Sequence, residues 1–135
     1  MQIEAIDFGG ELPWREHPFD AGADVFANET IQIPHCSTSK VRLGVGIRLP
    51  HGYVCDLRPR SGWASCGVHI SLGTIDASYS GEMCAIVFNL SGDTVEIKKG
   101  TKIGQLVIHP VTLCEFVWKI HGDNRGDKGF GSTGK

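Results

Sequence analysis

Val41-Arg-Leu-Gly-Val-Gly-Ile-Arg-Leu-Pro-His-Gly-Tyr-Val-Cys-Asp-Leu-Arg58 is the stretch that decides the fold class. Apolar and polar residues alternate over residues 41–49 and again over 53–58, with the turn signal Pro50-His-Gly52 between them. A period of two is the strand pattern, because successive side chains point to opposite faces. The pattern continues outward. Thr30-Ile-Gln-Ile-Pro34, Thr94-Val-Glu-Ile97 and Ile103-Gly-Gln-Leu-Val-Ile-His109 alternate in the same way, and residues 113–120 form the last such run. Residues 82–90 are more continuously apolar, as expected for a strand buried on both faces. Ser91-Gly-Asp93, Lys98-Lys-Gly100 and Gly122-Asp-Asn124 supply further turns. Only residues 61–66 read as a helical turn. Many short strands at regular spacing predict an all-β sandwich, barrel or jelly roll.

A chain of 135 residues fits one domain. Residues 1–121 are expected to form the β body, and residues 122–135 a glycine-rich C-terminal arm of the same domain. The net charge of −2 argues against a nucleic-acid backbone or an anionic membrane as main partner. No run of 18 apolar residues predicts a transmembrane helix. Met1-Gln-Ile-Glu-Ala-Ile-Asp7 has neither the basic nor the apolar region of a signal peptide. Cys36, Cys55, Cys66, Cys84 and Cys114 are odd in number and form no C-x-x-C; they read as small buried hydrophobes in a reducing cytosol, so a cytoplasmic location is expected. The six histidines are dispersed. Residues 9–19 read as a second arm, and arms on a small β domain often tie subunits together, so an oligomer is expected.

Five segments are too polar or too constrained for plain strand or turn. Arg125-Gly-Asp-Lys-Gly-Phe-Gly-Ser-Thr-Gly-Lys135 cannot bury a core. Its glycines let backbone approach a ligand, its N–H groups can cradle an anion, Arg125 offers a planar cation, and Phe130 a face for a base. It reads as a lid over a nucleotide. Asp20-Ala-Gly-Ala-Asp24 resembles the active-site triplet of retroviral aspartic proteases, but Ala21 stands where those enzymes carry the bracing hydroxyl. Pro59-Arg-Ser-Gly62 combines a guanidinium, a hydroxyl and a turn glycine suited to phosphate oxygens. In Gly73-Thr-Ile-Asp-Ala-Ser-Tyr-Ser-Gly-Glu82, Asp76 sits at a bend where it could orient a water, and Tyr79 could stack on a sugar. Gln105, among apolar residues in Gly100-Thr-Lys-Ile-Gly-Gln-Leu106, needs a partner for its amide.

Taken singly, each segment is also readable as a turn or a strand edge. In this order and spacing, over residues 20–134, they resemble the five motifs of the homotrimeric dUTPases. The resemblance implies a jelly-roll-like β barrel of the dUTPase type, assembled as a trimer with shared sites. It implies hydrolysis of dUTP to dUMP and pyrophosphate. Asp76 would orient the attacking water and contact the 3′-hydroxyl, and Tyr79 would pack under the sugar and exclude a 2′-hydroxyl. Arg60, Ser61, Gly62 and Gln105 would hold phosphates and water, with Asp24 bracing Arg60. Gly73 and Ile75 would present backbone to the uracil. Arg125, Gly131, Ser132 and Thr133 would close on the γ-phosphate while Phe130 covers the base. Mg²⁺ would bind the substrate phosphates, with Asp24 at most reaching it through water. Departures are Ala23, where the family usually has a larger residue, Lys128 in the tail, and a short 67–73 hairpin without the asparagine that some members use near uracil. The related dCTP deaminases carry a glutamate ten residues after the aspartate matching Asp76, where Ile86 stands here. A regulatory role through a protein partner, as reported for some phage dUTPases, stays open on sequence.

Overall fold

The structure is a computed structural model and describes residues 1–120. Eleven strands and one short helix follow each other as β1 (Glu4–Asp7), β2 (Ala23–Phe26), β3 (Ile31–Ile33), β4 (Ser37–Arg42), β5 (Val45–Arg48), β6 (Tyr53–Arg58), α1 (Ser61–Ser65), β7 (Val68–Ile70), β8 (Gly73–Ile75), β9 (Cys84–Asn89), β10 (Val95–Ile97) and β11 (Lys102–Pro110). A four-stranded sheet runs in the order β2-β11-β6-β8 and a three-stranded sheet in the order β4-β9-β7. Two strand pairs, β1-β5 and β10-β3, complete the body. Every pairing is antiparallel.

The inward residues of both larger sheets meet in one core. Val25, Cys55, Leu57, Ile103 and Leu106 come from the first sheet; Val41, Val68, Ile70, Ala85 and Val87 come from the second. Ile33 and Ile97 add the β10-β3 pair. The fold is a jelly-roll-like all-β body, as the alternation predicts. Asn89 is the one buried polar side chain among the described residues. Its amide nitrogen donates to the carbonyls of Ile33 (2.9 Å) and Asp93 (2.7 Å), and its oxygen accepts from the backbone N–H and the hydroxyl of Ser91. With every group satisfied, its hydrogen bonds offset the cost of burying it, and it ties the end of β9 to β3.

The structure corrects several readings of the pattern. The 41–49 alternation is two strands in different sheets, broken at Gly44, whose φ of +67° suits glycine and whose Cα side is closed by Gly10. β9 alternates instead of being buried on both faces: Ile86 is 49% exposed. Residues 67–73 are not a hairpin, because β7 pairs with β9 and β8 with β6, in different sheets. Residues 113–120 form no strand. Leu113, Phe116, Val117, Trp118 and Ile120 are all exposed, so the run has apolar side chains but no neighbour among the described residues to pair with. Cys36, Cys66 and Cys114 are exposed and only Cys55 is fully buried; all five are free. Burial pushes the Cys55 thiol up to about 12.

Candidate active site

β2, β11 and the turn after β6 build a polar pocket of about 570 Å³. Glu16, Asp20, Ala21, Gly22, Asp24, Arg60, Ser61, Gly62, Trp63 and Gln105 line it. The register explains the gathering. Gln105 on β11 lies opposite Asp24 on β2 and, on its other side, opposite Arg58 at the end of β6. The chain then turns through Pro59 into α1, so Arg60, Ser61 and Gly62 arrive beside Gln105. The Gln105 amide donates to the Pro59 carbonyl at 3.1 Å, the partner its sequence context demanded.

Asp24 is the electrostatic centre of this pocket. Its Oδ1 lies 3.4 Å from Arg60 Nε and its Oδ2 lies 3.3 Å from Lys102 Nζ. Lys102 also meets Glu16 Oε2 at 2.9 Å and sits 4.7 Å above the Trp14 ring centroid. The hydrogen bond from Lys102 holds the Glu16 carboxyl below its ordinary value, and the same bond holds the Lys102 ammonium above its own. A bulge makes this possible. Residues three apart on a regular strand face opposite sides, but the register of β11 against β2 shifts between Lys102 and Gly104. Both Lys102 and Gln105 therefore reach the Asp24 side. Sequence reading missed Glu16, Trp14 and Lys102; a lysine three residues before Gln105 gives no period-two signal. It also missed what Gly22 does. A Cβ there would run into the Gln105 side chain, so only glycine leaves the amide its place. By contrast a Cβ on Gly62 would meet nothing, so packing gives no reason for glycine at that position.

The third segment lies elsewhere. Gly73, Thr74, Ile75, Tyr79, Glu82, Met83, Cys84 and Ile86 line a separate recess of about 300 Å³ with Lys40 and Leu57, sharing no residue with the first pocket. Asp76 is exposed, at the start of a turn closed by the Tyr79 N–H on the Asp76 carbonyl at 3.0 Å. That turn links two sheets and is not a hairpin bend. The Tyr79 hydroxyl donates to the Glu82 carbonyl at 2.7 Å, and the ring lies so close over Gly81 that a Cβ there would sit 2.7 Å from the hydroxyl oxygen. Tyr79 is thereby pinned while the residue stays 47% exposed. Arg125, Phe130, Gly131, Ser132 and Thr133 fall outside the described residues. The structure thus brings Asp24, Arg60, Ser61, Gly62 and Gln105 together, and Gly73, Ile75 and Tyr79 together, in two places.

The dUTPase family model matches residues 9–134, which is nearly the whole chain. This chain belongs to the dUTPase family. The deoxyuridine 5′-triphosphate nucleotidohydrolase of Clostridium kluyveri is 40% identical over 99% of this chain and 97% of its own length. That of Fusobacterium nucleatum is 38% identical over 100% and 98%. Among solved structures, the Staphylococcus bacteriophage 80alpha dUTPase with dUPNHPP superposes with a TM-score of 0.90 at 28% identity, covering 99% of each chain. It is described as controlling transfer of virulence genes by a proto-oncogenic G protein-like mechanism. A mutant dUTPase from phage phi11 of S. aureus, with a TM-score of 0.85 at 25% identity, covers 92% of this chain and 99% of its own, and is described as coordinating a structural Mg(II) ion.

In this dUTPase-family chain, no group of three or more His, Cys, Asp or Glu that could hold a metal exists among the described residues. The donor set still suits a metal carried by a nucleotide. The pocket presents three carboxylates (Glu16, Asp20 and Asp24) against Arg60 and Lys102. A divalent cation on the phosphates would lessen their repulsion by those carboxylates. No helix among the described residues is long and apolar enough to cross a membrane.

Proposed function

We propose that this chain hydrolyses dUTP to dUMP and pyrophosphate in the cytoplasm, limiting uracil entry into DNA and supplying dUMP for thymidylate synthesis. The observation that carries the reading is the convergence of Arg60, Ser61, Gly62 and Gln105 on Asp24 in a chain of the dUTPase family. Water adds to the α-phosphorus, the bond from that phosphorus to the bridging oxygen breaks, and pyrophosphate leaves. Mg²⁺ would supply charge neutralisation and fixed geometry for the phosphates.

The chain's own residues do the positioning. Arg60 offers its guanidinium to phosphate oxygens while Asp24 fixes the direction of that guanidinium from 3.4 Å. Ser61 and Gly62 open α1, where the first backbone N–H groups have no partner inside the helix. Gln105 holds water with its amide oxygen and phosphate with the second of its two N–H groups, the first being given to the Pro59 carbonyl. Asp76 orients the attacking water and accepts the 3′-hydroxyl, Tyr79 packs under the deoxyribose, and Gly73 and Ile75 give backbone groups to uracil. Arg125, Gly131, Ser132 and Thr133 close on the γ-phosphate, and Phe130 covers the base.

Because the phosphate residues and the Asp76–Tyr79 turn line separate recesses, we place each active site between copies of a homotrimer. The exposed apolar run at residues 113–120 supports such an assembly, since those side chains need a surface to cover them. The test is to incubate the full chain with Mg²⁺ and dUTP, UTP, dCTP or dTTP and measure pyrophosphate, nucleoside monophosphate and ammonia. Fast release of pyrophosphate from dUTP alone is expected. Ammonia from dCTP would assign a deaminase, and binding of dUTP without turnover would assign a regulatory protein that reads the nucleotide.

A further inference from the structure

Lys102 stands three residues before Gln105 and has no part in the chemistry above. Its surroundings single it out. The ammonium lies between two carboxylates, 2.9 Å from Glu16 and 3.3 Å from Asp24, and over the face of Trp14. Trp14 cannot drift from under it. Its backbone is bridged to Asp24 in both directions, at 3.3 and 2.8 Å, and its ring stacks on Phe26 at 6.3 Å. The Lys102 carbonyl is held too, accepting from Trp63 Nε1 at 3.0 Å. Of the two carboxylates Asp24 is the more enclosed, its side chain 14% exposed against 56% for Glu16.

We propose that Lys102 is a positioning residue of the phosphate pocket. It acts through Asp24: with Arg60 on one carboxylate oxygen and Lys102 on the other, Asp24 is fixed and neutralised, and Arg60 keeps donors to spare for the substrate. Glu16 opposes it, sharing the ammonium with Asp24 and adding a negative charge to the pocket lining. The pair therefore sets the potential that an incoming polyphosphate meets. Counting Glu16, Asp20 and Asp24 against Arg60 and Lys102, the pocket carries one net negative charge. Losing Lys102 makes it two; losing the Glu16 charge makes it none.

This inference rests on the dUTP reading, and its test separates the two. Full-length wild type, Lys102→Met, Lys102→Arg and Glu16→Gln are compared for binding of inorganic tripolyphosphate with Mg²⁺ by calorimetry, and for kcat and KM with dUTP. Both neutralising variants break the same ion pair, so a merely structural pair would weaken binding in both. The electrostatic role moves them in opposite directions. Lys102→Met should weaken tripolyphosphate binding and raise KM roughly tenfold, the order expected for one charge a few ångströms from a partly exposed anion. Glu16→Gln should tighten binding, and Lys102→Arg should restore it. Shifts of the same sign, wild-type binding by Lys102→Met, or no tripolyphosphate binding by wild type would each overturn the proposal. If Lys102→Met does not fold, the sign for Glu16→Gln decides alone. A wild type that binds tripolyphosphate yet leaves dUTP intact would overturn the substrate reading and leave the Lys102 comparison standing.

Discussion

The Asp24 pocket and the Asp76–Tyr79 recess lie on the two sides of one sheet strand and are built in opposite ways. The pocket is ion-paired and assembled from four separate parts of the chain: the N-terminal arm, β2, β11 and the turn into α1. The recess is formed largely by one continuous run, β8, the turn after it and the start of β9, and the turn is braced by its own backbone: the Tyr79 N–H bonds the Asp76 carbonyl and the Tyr79 hydroxyl bonds the Glu82 carbonyl. β6 joins them, pairing with β11 on one edge and β8 on the other. A pocket made of distant segments can be tuned by any of them. A turn made by itself keeps its shape and can be presented outward, to another copy.

The comparison breaks most visibly if the two regions do not need each other. Asp76→Asn should lower dUTP turnover by roughly 10²-fold or more, as for loss of a positioned acid/base group. Arg60→Ala should be similarly impaired. If each site draws its pocket from one subunit and its turn from a neighbour, co-expressing the two variants at equal levels should restore about a quarter of the sites, because closed symmetry pairs them at random. Co-expressed variants that stay as inactive as their parents would place both regions in one site within one chain.

A smaller effect sharpens the account of the pocket. Gly22→Ala pushes a methyl group against the Gln105 side chain while leaving the core untouched. Turnover should fall about tenfold, as for a displaced positioning group, and the thermal midpoint should move only a few degrees, in line with one overpacked contact at a buried site outside the apolar core. Wild-type turnover by this variant would show that the Gln105 amide needs no fixed place.

The smallest effect concerns the strand between the two regions. Asp56 on β6 accepts from His109 Nε2 at 2.9 Å and from Arg58 Nη2 at 3.1 Å. The hydrogen bond with His109, foremost, holds its carboxyl below the usual carboxylate range. A carboxyl depressed in the folded state adds stability at pH values above its unfolded pKa and loses it as pH falls through the folded value. Asp56→Asn should therefore be slightly less stable than wild type at pH 7, and the gap should close below roughly pH 4. A gap in chemical denaturation that stays constant down to pH 2 would remove this carboxylate from the acid response.

Much of this was legible in residue order. Alternation over residues 53–58 and 103–109 marks β6 and β11, and the brief 61–66 turn marks α1, because those signals are local. β1, β7 and β8 are not marked in residue order, although β3 and β10 are equally short or shorter and are marked; pairing with β5, β9 and β6 defines them. Residues 113–120 alternate as a strand does yet pair with nothing among the described residues, since pattern shows which face is apolar and not whether a neighbour is there to meet it. The cysteines misled for the same reason: exposure of Cys36, Cys66 and Cys114 depends on which face of the body each turn leaves outside.

For the candidate site, the sequence by itself determined which residues match the dUTPase motifs, namely Asp24, Arg60, Ser61, Gly62, Asp76, Tyr79 and Gln105, each of them singly readable as part of a turn or a strand edge. Tertiary structure alone decided their company. Gln105 reaches Asp24 because antiparallel register sets residues 81 positions apart side by side. Lys102 joins them because one bulge reverses a side-chain direction. Glu16 and Trp14 enter because an arm without periodicity is bridged to β2. Register, bulges and bridges are properties of pairs of segments, and a pairing is chosen by the energy of the whole packed body.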